Sequence, residues 1–112
     1  MFHWELMVND VDAAIDFYSK VFDWEFDRGT VPHYPLIKTG DTPGGGILKK
    51  PEGVASCALN TYFHVENIEA TLSRATALGA TVVAPKMAIP GMGFWALFAD
   101  PDDIPIGVMQ ME

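Results

Sequence analysis

Residues 8–15, Val-Asn-Asp-Val-Asp-Ala-Ala-Ile, return 57 positions later as residues 65–72, Val-Glu-Asn-Ile-Glu-Ala-Thr-Leu. In each copy an apolar residue precedes Asp10 or Asn67, which are suited to cap a helix N-terminus, and an acidic residue follows in the first turn. Apolar residues then recur at helical spacing. The repeat predicts two strand-to-helix junctions in a chain built from two copies of one module.

Each predicted helix is followed by segments with strand character, separated by turns rich in Gly and Pro. The predicted strands cover residues 24–26, 35–38 and 46–49 in the first copy and residues 81–83, 93–98 and 104–109 in the second. The predicted class is therefore α+β, with two tandem β-α-β-β-β modules.

The two modules are expected to form one domain. Module one covers about residues 1–50, a polar linker about 49–56, and module two about 57–112. A folding unit of only about 55 residues is marginally stable by itself, so the two copies are expected to share one buried surface.

Composition and charge narrow the function classes. Of the 112 residues 49% are hydrophobic, which supports a packed core and excludes a disordered chain. The net charge of −8 makes nucleic acid or an anionic membrane a poor partner and favours a neutral or cationic small molecule. The single cysteine, Cys57, excludes an intrachain disulfide, and no apolar run approaches the roughly 18 residues that span a bilayer. We expect a soluble, cytoplasmic protein.

Three segments resemble the vicinal oxygen chelate superfamily, the group of glyoxalases, bleomycin-resistance proteins and extradiol dioxygenases. They are residues 10–24, with Phe-Tyr and then Phe-Asp-Trp, residues 79–83, Gly-Ala-Thr-Val-Val, and residues 98–103, Phe-Ala-Asp-Pro-Asp-Asp. Residues 2–6, Phe-His-Trp-Glu-Leu, and 44–47, Gly-Gly-Gly-Ile, are similar to the small glyoxalase-like members. The resemblance implies a curved, cup-shaped mixed sheet with helices on the outside. This fold hosts several chemistries, so the function depends on the site.

The resemblance also implies where a metal would bind, because metal-dependent relatives place one His, Gln or Glu on each of four strands. His3 stands at the first position, but Asn60 stands at the second and Gly107 at the fourth, and residues 45–49 contain no carboxylate or imidazole. A catalytic transition metal needs three protein ligands and an open position. We therefore predict no metal and no other cofactor. A site rebuilt with His33 or His64 is the disfavoured alternative.

If the resemblance holds, alternate residues of two strands face the cup. The predicted ligand-binding residues are His3, Glu5, Met7, Asn60, Tyr62 and His64, with Met92, Trp95 (or Phe94) and Met109 as an apolar wall. The alternating set, Phe2, Trp4, Leu6 and Phe63, is expected to pack beneath the helices, and the two sets exchange roles if the strand phase is reversed.

Glu5 and His3 are the candidates for acid–base catalysis, because a carboxylate and an imidazole on one strand face could exchange a proton with a bound ligand. In the alternative interpretation, Glu5 forms an ion pair with Lys38 or Arg28.

Two functions follow. The first is a metal-free protein that binds a small aromatic or cationic molecule, as bleomycin-resistance proteins do. The second is a glyoxalase-like lyase or isomerase, or a related enzyme, acting on a small carbonyl or hydroxylated compound through a rebuilt metal site or through Glu5 and His3. A vestigial pocket in an interaction module is a third interpretation. A homodimer is expected in each case.

Overall fold

The computed structural model describes residues 1–54 and 56–112, so residue 55 of the predicted linker lies outside the described residues. The chain divides into two compact units. The N-terminal unit is His3–Asn60, and the C-terminal unit is Thr61–Glu112 together with Met1–Phe2. Each unit contains one helix.

The elements follow the predicted order. The first module contains β1 (His3–Val8), α1 (Val11–Phe22), β2 (Glu25–Asp27), β3 (Leu36–Lys38) and β4 (Gly45–Lys49). The second contains β5 (Ala58–His64), α2 (Ile68–Ala77), β6 (Thr81–Ile89), β7 (Gly93–Ala99) and β8 (Pro105–Met111). The α+β class and the two tandem β-α-β-β-β modules are confirmed.

Both helices begin at the predicted caps. The Asp10 carboxylate accepts a hydrogen bond from the Ala13 N–H at 3.0 Å, and the Asn67 side-chain oxygen accepts one from the Ala70 N–H at 2.9 Å. Each satisfies an N–H group that the first helical turn cannot pair. Helix α1 stops at Asp23, whose φ of 57° is left-handed. The repeat therefore encodes both helix starts locally.

The strand order repeats in the two units. In the N-terminal unit it is β2-β3-β4-β1, with β1 parallel to β4 and antiparallel pairing between β2 and β3 and between β3 and β4. In the C-terminal unit it is β5-β8-β7-β6, with β5 parallel to β8 and the other pairs antiparallel. The first and last strands of each module are therefore neighbours.

Strand β6 is longer than predicted. The expected strand at 81–83 continues to Ile89 through Pro85, and the pairing with β7 slips between Ala84 and Met87. Proline cannot donate to a ladder, but it is tolerated at an edge or a bulge, and β6 ends the strand order of its unit. Pro85 is therefore compatible with a strand that continues to Ile89.

The expected burial of Phe2 and Phe63 is wrong, because these residues are 43% and 41% exposed. In the C-terminal unit, α2 packs against β6, β7 and β8. Its core consists of Ile68, Ala96 and Val108. The half-buried residues that pack against this core are Val65, Leu72, Phe94 and Phe98. Within the described parts of the chain, no helix is both long and apolar enough to cross a membrane.

Candidate functional site

The side chains of β1 alternate between a face that packs against aromatic rings and a polar face. The Trp4 ring lies 5.6 Å from that of Trp24, which stacks on Tyr18 and Phe22 of α1 at 5.5 and 4.7 Å. The Trp4 indole N–H also donates to the carbonyl of Pro43 at 3.0 Å. Because successive strand residues point to opposite faces, His3 and Glu5 face away from this aromatic group. The strand phase of Trp4 is as predicted.

A hydrogen-bonded cluster joins four side chains of the N-terminal unit. Nε2 of His3 lies 2.8 Å from the Tyr34 hydroxyl, which donates to Oε1 of Glu5 at 3.0 Å. The other carboxylate oxygen, Oε2, accepts a hydrogen bond from Nδ2 of Asn60 at 3.3 Å. Asn60 is 4% exposed, and the other three are half-buried. We call these residues the Glu5 cluster.

The direction of each hydrogen bond in the Glu5 cluster follows from counting protons. Tyr34 has one hydroxyl proton, and it is donated to Glu5, which as a carboxylate only accepts. With this direction, Nε2 of His3 is the donor, and the Tyr34 oxygen accepts its hydrogen bond. Burial lowers the pKa of His3 below its ordinary value of 6.5, although the Glu5 carboxylate opposes this shift. The lowered pKa favours the neutral imidazole, and a proton on Nε2 fits the hydrogen bond that the Tyr34 oxygen accepts.

Two glycines of β4 make room for aromatic rings. Gly46 pairs with Glu5, and a Cβ on Gly46 would overlap the Tyr34 ring. A Cβ on Gly45 would lie 2.6 Å from the Trp4 ring on the opposite face. Both glycines are therefore needed for the close approach of a ring, and Gly46 allows the Tyr34 hydroxyl to reach Glu5.

In the C-terminal unit, Tyr62 and Gly107 repeat this arrangement. They are paired in register, and a Cβ on Gly107 would overlap the Tyr62 ring. Phe94 packs against the core beneath α2, so the neighbouring Trp95 faces the other side of the sheet, where it pairs with Met109. Of the two alternatives, Trp95 therefore shares the Tyr62 face.

The remaining predicted residues lie outside the Glu5 cluster. Met7 is half-buried on β1, and Met92 is 48% exposed in the turn between β6 and β7. His64 is exposed, with its ring 5.5 Å from that of Phe2. Arg28, proposed as a partner of Glu5, donates instead to Asp12 at 2.7 Å.

The residues at the four metal-ligand positions do not fit a transition-metal site. Nε2 of His3 lies against the Tyr34 hydroxyl, Asn60 donates its amide to Glu5, an aromatic ring covers Gly107, and residues 45–49 supply no carboxylate or imidazole. Residues 1–54 and 56–112 contain no group of three or more His, Cys, Asp or Glu side chains placed to hold a metal ion.

Tyr34 is the member of the Glu5 cluster that sequence reasoning missed. It lies in the segment between β2 and β3, 29 positions from Glu5, and no local motif marks it. The available signal was Gly46, because a glycine inside a strand often marks the close approach of another group.

A family model for the glyoxalase-like domain matches residues 3–109. A Mycobacterium bovis protein named "Putative glyoxylase CFP32" is 28% identical over 109 residues, which cover 95% of this chain and 42% of that protein. The chain thus spans less than half the length of this curated relative.

Two solved structures share the fold. Methylmalonyl-CoA epimerase from Mycobacterium tuberculosis aligns with a TM-score of 0.68 at 14% identity, covering 99% of this chain and 87% of that chain. A glyoxalase/bleomycin resistance protein/dioxygenase superfamily member from Vibrio splendidus 12B01 aligns with a TM-score of 0.67 at 15% identity, covering 96% and 95%. At these identities, the likeness concerns the fold alone.

Proposed function

Because the chain belongs to the glyoxalase-like domain family, we propose that it is a metal-free protein that binds a small aromatic or cationic molecule. The observation that carries this proposal is the Glu5 cluster, in which side chains at two of the family's metal-ligand positions bond to protein groups. A binding protein needs a shaped surface with a few fixed polar groups and no metal.

The chemistry of the Glu5 cluster supports a ligand that donates hydrogen bonds. Tyr34 and Asn60 hold the two oxygens of Glu5 separately, which fixes the plane of the carboxylate. A carboxylate has about four lone-pair sites, so it can accept a further donor from a ligand. An ammonium or amidinium group adds charge attraction in a half-buried site, and an anion is repelled.

The predicted apolar contacts complete the proposal. In the C-terminal unit, Trp95 and Met109 pair with each other and are proposed as contacts for an apolar group. An indole ring also attracts a cation through its π face. Tyr62 is proposed as a further contact in the C-terminal unit, and Met7, on β1, as an apolar contact in the N-terminal unit.

An enzyme is the second candidate, and the fixed orientation of Glu5 favours it. In this proposal Glu5 removes a proton from a carbon beside a substrate carbonyl group and returns it to a neighbouring atom. This step is an isomerisation that needs no other reactant. Tyr34 would act as a positioning residue, because its hydroxyl aims the carboxylate at the proton.

One set of measurements separates the two proposals. Metal analysis of the purified chain comes first, and near-stoichiometric zinc, nickel, manganese or iron would overturn the metal-free proposal. Thermal shift with a panel of metabolites and cationic aromatic compounds then identifies a ligand, because binding to the folded state raises the melting temperature.

Glu5→Gln is then compared with Glu25→Gln, which replaces an exposed carboxylate of β2. For a binding protein we expect Glu5→Gln to weaken binding about tenfold, with no turnover of the ligand by the wild type. For an enzyme, Glu5→Gln abolishes turnover and substrate binding remains. Unchanged affinity without any turnover contradicts both roles for Glu5.

We also propose that the protein is a homodimer that works in the cytoplasm. Helix α1 has no buried residue, and Phe17, Val21 and Phe22 are 58%, 52% and 53% exposed on it. Exposed apolar clusters often mark interaction surfaces. The exposed thiol of Cys57 suits a reducing compartment.

A further inference from the structure

A cleft of about 400 Å³ in the N-terminal unit concentrates basic side chains. The residues that line it are Val11, Arg28, His33, Tyr34, Pro35 and Lys49. None of them is acidic, although the chain has 15 Asp and Glu against 7 Lys and Arg. Two of the seven cations and one of the three histidines therefore face one cleft in a protein of net charge −8.

Arg28 uses only part of its hydrogen-bonding capacity on Asp12. One of its terminal nitrogens donates to Asp12 at 2.7 Å, and the two side chains are 57% and 79% exposed. An ion pair this exposed is weak, because water solvates both charges and salt screens them. The guanidinium carries five N–H donors in all, so it can serve Asp12 and a ligand together.

Lys49 supplies a second, exposed positive charge at the end of β4. The buried Pro35 and the half-buried Tyr34 line the same cleft. Partly apolar surroundings strengthen the attraction between these cations and a bound anion relative to open water.

We propose that this cleft is a binding site for a compact oxyanion, a carboxylate or a phosphate group, held between Arg28 and Lys49. It goes beyond the function proposed above, because the Glu5 carboxylate repels an anion while the cleft attracts one. Because Asp12 already accepts a hydrogen bond from the Arg28 guanidinium, its carboxylate competes with a bound oxyanion for Arg28.

Oxyanion binding can be followed by NMR titration. The 15N-labelled chain is titrated with inorganic phosphate, and separately with acetate, at an ionic strength held constant with sodium chloride. We expect saturable shifts of the His33, Tyr34 and Lys49 amides. Saturation with both probes indicates a site for oxyanions in general, and saturation with one identifies the preferred group.

Two matched pairs of variants locate the site. Asp12 and Asp16 both lie on α1, and each forms an exposed ion pair, with Arg28 and Lys20 respectively. Asp12→Asn and Asp16→Asn each remove one of these carboxylates. We expect about a threefold gain in affinity from Asp12→Asn and no change from Asp16→Asn, because only Asp12 engages Arg28. Lys49→Ala should weaken binding at least fivefold, and Lys38→Ala, an exposed lysine of β3, should not.

The proposal is overturned by shifts that grow linearly without saturation. It is also overturned if the two members of either pair change the affinity equally, since this indicates only a general effect of net charge. Thermal unfolding of each variant verifies that it is folded. The titration uses phosphate and acetate and does not depend on a ligand of Glu5. A negative result for one proposal therefore leaves the other proposal testable.

Discussion

The Tyr34 hydroxyl lies 2.8 Å from Nε2 of His3 and 3.0 Å from Oε1 of Glu5, so one phenol joins two residues that are close together on β1. It accepts a hydrogen bond from the imidazole N–H and donates its own O–H to the carboxylate. His3 and Glu5 therefore act as one unit, and a change at Tyr34 affects both.

Replacing Tyr34 with Phe should leave the ring over Gly46 and remove both hydrogen bonds. A half-buried carboxylate then loses a donor, and the His3 N–H loses its acceptor. We expect the free energy of unfolding to fall by about 1–2 kcal/mol, near the lower end for bonds to charged groups because the cluster is partly solvated. Chemical denaturation of the variant and the wild type measures this.

Tyr18→Phe is the matched control, since it removes a phenolic hydroxyl from a tyrosine that stacks on Trp24. We expect its effect to stay within about 0.5 kcal/mol. Equal losses in the two variants would contradict a special role for the Tyr34 hydroxyl.

The lowered pKa of His3 predicts lower stability in mild acid. Between the ordinary value of 6.5 and the lower value of the folded protein, the unfolded chain binds a proton on this side chain that the folded chain does not. The contribution of His3 is therefore complete above pH 6.5 and is lost as the pH falls below it. We expect the stability difference between the wild type and His3→Gln to shrink from pH 7.5 to pH 5.5.

The control for the pH series is His33→Gln, which removes an exposed histidine of the same unit. NMR of 15N-labelled imidazoles provides an independent check, because His3 should show the Nε2-protonated neutral form at pH 7. A His3 that gains its proton above pH 6.5 would contradict the lowered pKa, and a neutral His3 protonated on Nδ1 would show the proposed hydrogen-bond directions to be wrong.

The sequence predicted the parts of the fold that local chemistry decides. Asp10 and Asn67 cap helices through contacts three residues away, so their pattern could be recognised directly. The Glu5 cluster was predicted only in part, because Tyr34 reaches Glu5 through a long segment whose path no neighbouring residue reveals. Gly107 was interpreted as the site of a missing metal ligand, and in the structure both Gly107 and Gly46 are places where a tyrosine ring packs.

These glycines give a third prediction. A methyl group at Gly46 or Gly107 would overlap the Tyr34 or Tyr62 ring, so we expect each Gly→Ala variant to lose about 1–3 kcal/mol of stability through overpacking. Gly46→Ala should also weaken binding of the Glu5 ligand, because it displaces Tyr34.

Gly29→Ala is the control for both glycine variants. Its Cβ would meet only Oδ1 of Asp27, at an ordinary 3.8 Å. Denaturation should show a change within about 1 kcal/mol, and it could be a gain, because alanine restricts the unfolded chain. If Gly46→Ala is as stable as Gly29→Ala, then the position of the Tyr34 ring does not require a glycine at residue 46.

The proposed homodimer predicts that charge on the exposed face of α1 disrupts assembly. Phe17 and Val21 are one helical turn apart, and a stable interface that buries about 800 Å² per partner cannot hold unpaired carboxylates at its centre. We expect Phe17→Glu combined with Val21→Glu to convert a dimer into a monomer in analytical ultracentrifugation. Leu78→Glu, a change at a 75% exposed residue of the C-terminal unit, should leave the dimer intact. A monomeric wild type contradicts the homodimer, and a dimer that survives the α1 changes but not Leu78→Glu places the interface elsewhere.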